Sequence, residues 1–157
     1  MVRAESINAK FSLSDEYEAI TQRAALVDRS DAGLLRISGE DAADLLNRLS
    51  TNNLENLTPE RGMRTVLTTN NGRIIDLLSI IPTGESLLVL TSPGRQQQVA
   101  DWIEFYTFVE DVTIQDITDD TAMLAIVGPE SGEAIQRALG VNVDQLELFS
   151  PMTVDAL

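Results

Sequence analysis

The 157-residue chain is 43% hydrophobic with only 4% aromatics, carries a formal charge of −14, and contains neither cysteine nor histidine. That composition describes one globular domain over residues 1–157 with an aliphatic core. It removes disulfides, thiolate nucleophiles, His–Asp triads and nearly every metal ligand set, so no metal site is expected. The charge argues against nucleic acid and anionic lipid, no apolar run approaches a membrane span, and the opening residues lack the apolar core of a signal peptide; the expected location is the cytoplasm.

In chain order, the first dozen residues are mixed and expected to be loosely held. Ser14 then precedes DEYEAITQRAALV, whose Tyr17, Ile20, Ala24 and Val27 recur at helical spacing. Ser14 is the predicted N-cap, with Asp15 and Glu16 in the first turn and the helix ending near Asp28-Arg29-Ser30. Residues 33–38, GLLRIS, read as a strand with Leu35 and Ile37 inward. After Gly39, EDAADLLNRLS reads as an amphipathic helix presenting Ala42, Leu45, Leu46 and Leu49. A loop, TNNLENLTPERG, leads to residues 62–81, where apolar runs flank Asn71-Gly72, a β-hairpin signal of the two-residue type I′ kind. The turn Pro82-Thr83-Gly84-Glu85 separates this hairpin from SLLVLTS, which should pair antiparallel with it. Pro93 suits the first position of a helix running to about Phe108, with Val99, Trp102, Ile103 and Tyr106 on one stripe and Trp102 as a core anchor. The strands VTIQDIT and AMLAIVG follow, then the helix PESGEAIQRALG closed by Gly140, then a weakly patterned tail.

One carboxylate stands inside the apolar strand 74–81. The strand reads as buried on both faces, and Asp76 alternates with Ile74, Leu78 and Ile80, where an unpaired acid is costly. A two-residue turn sets Leu67 opposite Asp76, with Thr65 and Thr69 diagonal and able to donate to it. A shift of one residue would instead put Arg64 and Thr68 on that face. Either arrangement describes a satisfied buried acid or a held functional one.

Two segments echo one another. LLRISGEDAADLLNRL (34–49) and MLAIVGPESGEAIQRA (123–138) both run strand, glycine, acidic residue, helix, the pattern of a one-and-a-half-unit repeat. On that reading the tail after residue 140 is poorly packed, or is covered by another chain.

The entry segment ending in RAALVDRS, then GLLRISGEDAADLLNRLSTNNLENL, TVLTTNNGRIIDLL and AMLAIVGPES, together resemble the superfamily of the glycine-cleavage T-protein (aminomethyltransferase) and the YgfZ-like folate-binding proteins. The resemblance covers residues 16–132. It implies an α+β folate-binding domain with a largely antiparallel sheet and packed helices, corresponding to the N-terminal part of the family's full-length chain. In T-proteins a hairpin GG-x-x-DD carries the catalytic acid beside the reactive nitrogens of tetrahydrofolate, and Asp76 falls on its first Asp. Arg73 and Leu77 replace the second Gly and second Asp, so GRIID looks more like the YgfZ side. Arg64 stands where T-proteins place an aromatic against the pterin, and Thr91 where many have Asn. The implied folate-facing set is Arg64, Thr65, Thr69, Asp76 and Thr91, with Asp76 catalytic. The folate contacts of the family's second half, and the cysteine motif of YgfZ-like proteins, are not in the sequence.

Three functions follow as expectations. The first is a tetrahydrofolate-binding protein of the YgfZ kind, supporting iron–sulfur enzymes. The second is a tetrahydrofolate-dependent aminomethyltransferase. The third is a non-enzymatic assembly module that pairs through an incomplete sheet with a partner or a copy of itself. For the negatively charged folate tail, Arg64, Arg73 and Arg95 are the nearest cations in sequence.

Overall fold

A computed structural model describes residues 12–154; the expected loose hold on the opening stretch falls outside them, Ser12 apart. The elements run α1 (Leu13–Gln22), β1 (Ala25–Asp28), β2 (Gly33–Ser38), α2 (Ala42–Leu49), β3 (Met63–Thr68), β4 (Ile74–Pro82), β5 (Ser86–Thr91), α3 (Gln96–Phe105), β6 (Thr113–Asp116), β7 (Leu124–Val127) and α4 (Ser131–Leu139). Within the described residues they divide into two compact units, residues 12–27 with 125–144 and residues 28–124 with 145–154. The fold is α+β with antiparallel sheet, as the sequence implies.

The larger unit holds a five-stranded sheet in the order β3-β4-β5-β2-β6, every pairing antiparallel. Alternation along the strands turns Leu35, Ile37, Leu67, Leu78, Ile80 and Val89 to one face. There they meet Leu45 and Leu46 of α2 and Val99 and Ile103 of α3, all fully buried. Each such side chain contributes about 1.5–3 kcal/mol by leaving water. Trp102 lies at the edge of this cluster, against Phe105 and Tyr106. In the loop after α2, a one-turn 3-10 helix, Leu54–Asn56, is capped by Asn53 and buries Leu54. Three residues carry no periodicity from which to read it.

The β3–β4 hairpin departs from expectation in its turn. Thr69 N donates to Arg73 O (2.8 Å) and Gly72 N to Thr69 O (2.8 Å), with Gly72 at φ +70° and Asn71 outside the positive-φ region. This is a three-residue loop rather than a two-residue type I′ turn. One residue more in the loop is offset by a bulge at Ile75, so Leu67 still faces Asp76. The bulge turns Ile75 and Asp76 both inward and leaves Ile74 73% exposed. The expectation that Ile74 shares the face of Asp76 is therefore corrected, and so is burial on both faces, since Leu77 is 50% exposed.

Pro93 is not in a helix. It follows Ser92 in a turn closed by Arg95 N on Ser92 O (3.0 Å), with Gly94 at φ +69°; α3 begins at Gln96 and ends at Phe105, short of Phe108. In the tail, Phe149 adopts φ +65° and its carbonyl accepts from Gly62 N (2.9 Å). Residues 141–154 form no helix or strand and are mostly exposed, with Val141, Val143, Phe149, Ser150 and Pro151 half-buried.

In the smaller unit, the N-cap of α1 is Ser12, not Ser14. Its hydroxyl accepts from Asp15 N while Asp15 accepts from Ser12 N, a capping box. The helix stops at Gln22, because Ala25–Asp28 extends to pair with β7 in a two-stranded sheet. Gly140 ends α4 in the left-handed conformation, with its N–H on Gln136 O.

The echoing segments share one corner. Gly39 after β2 has φ +113°, and Gly128 after β7 has φ +119°. A Cβ on Gly39 would lie 1.9 Å from Asp111 O, and one on Gly128 2.5 Å from Arg23 O. Those same carbonyls accept from Asp41 N and Glu130 N, two residues beyond each glycine. Only glycine admits a carbonyl this close at that φ.

Candidate functional site

Asp76 enters the core because the Ile75 bulge rotates it inward beside Leu67 and Leu78. It is 6% exposed. An acid placed there needs partners. Both come from Ser92, the residue just after β5. Ser92 N donates to Asp76 Oδ2 at 2.8 Å, and Ser92 Oγ donates to Oδ1 at 2.6 Å. Sequence reasoning missed Ser92. Its only signal is a hydroxyl residue at the end of the strand antiparallel to β4, which becomes a partner once the β4–β5 register is known.

The expected donors are engaged elsewhere. Thr65 lies on the same buried face, but its Oγ1 accepts from Asn52 N (3.1 Å) and stitches the loop after α2 to β3. Thr69 Oγ1 accepts from Arg73 N (3.1 Å) and closes the hairpin loop. Thr91, also buried, donates to Ser92 O at 3.1 Å and so joins Asp76 through Ser92. Arg64 pairs with Ser79 on the opposite face of the hairpin, so the alternative register that would join Arg64 to Asp76 does not occur. Asp76, Ser92 and Thr91 form one network. Thr65 is beside it, Thr69 is in the turn, and Arg64 is apart. Arg73 and Arg95 are both exposed, and Arg95 is engaged by Gln98.

Arg64 belongs to a different feature. Its Nε donates to Ser79 Oγ (3.3 Å), and its guanidinium lies 5.2 Å from the centre of the Phe149 ring, within cation–π range. Both line a cleft of about 1060 Å³ with Asn52, Asn56, Glu60, Arg61 and Glu147. Two guanidinium groups, two carboxylates, amides and an aromatic ring give the cleft mixed charge, suited to a planar polar ligand. Among the described residues no group of three acidic, His or Cys side chains is arranged to hold a metal ion, and no helix is long and apolar enough to cross a membrane.

Residues 5–155 match the family described as the GCVT N-terminal domain. The chain is 33% identical over 142 residues to an aminomethyltransferase of Geobacillus kaustophilus and 32% identical over 141 residues to one of Bacillus subtilis. Each alignment covers 88% of this chain and 38% of the relative, so the chain spans less than two-fifths of the length of these curated relatives. Its fold is similar to the crystal structure of glycine cleavage system aminomethyltransferase T from Bartonella henselae, with a TM-score of 0.76 at 19% identity, over 86% of this chain and 37% of that one.

Proposed function

The chain belongs to the GCVT N-terminal domain family, and on that premise we propose that it forms the Asp76-bearing part of a tetrahydrofolate-dependent aminomethyltransferase. The observation that carries the proposal is the buried carboxylate itself. Asp76 stands in the core with two donors on it from a single residue and keeps acceptor capacity free, since a carboxylate offers about four lone-pair sites. Such a group suits the N–H-rich pterin and can take or return a proton at a reacting nitrogen. In the proposed reaction a one-carbon unit leaves an aminomethyl group on a lipoyl carrier and bridges two folate nitrogens. The two displaced folate hydrogens end on the released ammonia and on the carrier sulfur.

The relatives named aminomethyltransferase favour this reading over folate-dependent support of iron–sulfur enzymes. That alternative leaned on Arg73, an exposed turn residue whose N–H serves Thr69. Calorimetric titration of tetrahydrofolate into the wild type and Asp76→Asn tests the proposal. Saturable binding by the wild type that is lost in the variant supports it. Equal heats from both, or none from either, overturns it.

A further inference from the structure

We infer that Ser92 is the positioning residue of the Asp76 site, and that Thr91 acts on a ligand only through Ser92. This rests on the reading of Asp76 as the folate-facing group. One donor on a carboxylate leaves it free to rotate about its Cβ–Cγ bond. Two donors on its two oxygens fix that rotation and decide which edge stays open to a ligand. Ser92 supplies both, one from its backbone and one from its hydroxyl.

Ser92 is itself held. Its carbonyl accepts from Arg95 N (3.0 Å) and from Thr91 Oγ1 (3.1 Å), at the head of a turn that Gly94 completes at φ +69°. Thr91 is fixed in turn by pairing with Gly33 of β2. A Cβ on Gly33 would lie 2.3 Å from Thr91 Oγ1 and 2.7 Å from Gln96 Cβ, so the missing side chain is what lets the threonine hydroxyl and Gln96 occupy that space. The chain of support therefore runs from β2 through β5 to the carboxylate on β4. Thr91, expected from the sequence to touch folate, has its hydroxyl turned onto Ser92 instead.

Tetrahydrofolate titration of Ser92→Ala, Ser92→Thr and Thr91→Val, with amide hydrogen exchange across β4 and β5, tests the inference. Losing the hydroxyl bond in Ser92→Ala weakens binding about tenfold with unchanged exchange, and Ser92→Thr returns it to within about twofold of wild type. Thr91→Val loses the hydroxyl bond to the Ser92 carbonyl, whose residue still holds Asp76 through its own N–H and hydroxyl, and so weakens binding by only about threefold. Wild-type affinity in Ser92→Ala alongside lost binding in Asp76→Asn overturns this inference alone. So does a loss in Thr91→Val as large as that in Ser92→Ala, which would put Thr91 on the ligand, or a loss of binding that follows lost β4–β5 protection. Equal binding by wild type and Asp76→Asn, or no wild-type binding, overturns the functional reading and this inference with it.

Discussion

Replacing Gly39 with alanine tests the corner geometry most directly. The new Cβ would stand 1.9 Å from Asp111 O. An ordinary carbon–oxygen contact is at least about 3.3 Å, so the carbonyl would have to retreat by roughly 1.4 Å. That carbonyl accepts from Asp41 N, and Asp111 N donates to Asp41 Oδ2 at 2.8 Å. Losing both bonds costs about 1 kcal/mol each, and forcing alanine to φ +113° adds about 1–3 kcal/mol, for a total near 3–5 kcal/mol. Domains of this kind are stable by about 5–15 kcal/mol, so the variant should still fold but be strongly weakened. Urea unfolding followed by the fluorescence of Trp102, the single tryptophan, measures it. With a slope of about 1–3 kcal/mol per molar, the midpoint should fall by about 2 M. Gly72→Ala is the control, because Gly72 has φ +70° with nothing within 4 Å of its Cβ, leaving only about 1–2 kcal/mol of backbone strain. Equal shifts in the two variants, or a loss below about 1 kcal/mol at Gly39, would refute the clash as the cause.

Two further outcomes use the same unfolding assay. Leu46→Ala, at a fully buried α2 position, should cost about 2–5 kcal/mol, whereas Leu77→Ala on the half-exposed face should change stability by no more than about 0.5 kcal/mol. Glu110 is held at about 2, well below the ordinary 4.5, by the Arg48 guanidinium and then by the N–H groups of Phe108 and Val109. Its folded value is depressed, so its contribution is complete above 4.5 and is lost as pH falls toward 2. The difference in urea midpoint between wild type and Glu110→Gln should therefore narrow across that window; a constant difference would show that Glu110 contributes nothing through its charge.

The elements legible in the sequence are those whose patterns are local. β2 alternates cleanly and α2 carries its apolar stripe, whereas Leu67 faces Asp76 as a two-residue turn would have it only because the bulge at Ile75 offsets the third residue of the loop. What stayed hidden depends on distant partners. Ala24 and Val27 continue the helical spacing of α1, yet Ala25–Asp28 is strand because β7 lies beside it, a tertiary pairing that overrides local preference. Ile74 reads as buried until the Ile75 bulge is known. Asp76 could be picked out as an acid in an apolar strand. Its partner Ser92, 16 residues away in sequence, could not, because the contact exists only once β4 and β5 are in register.

The smaller unit also has an order of assembly built into it. Its strands β1 and β7, and the carbonyl of Arg23 that fills the corner at Gly128, come from opposite ends of a segment on the order of a hundred residues long. Ribosomes extend chains at about 5–20 residues per second, so α1 and β1 wait roughly 5–20 seconds for β7 and α4 to be made. In that interval residues 28–124 can close their own sheet from contacts already synthesised. The elements α1 and β1, translated before the larger unit, are then among the last to fold, and β1 spends that time as an unpaired edge open to pairing with another nascent chain.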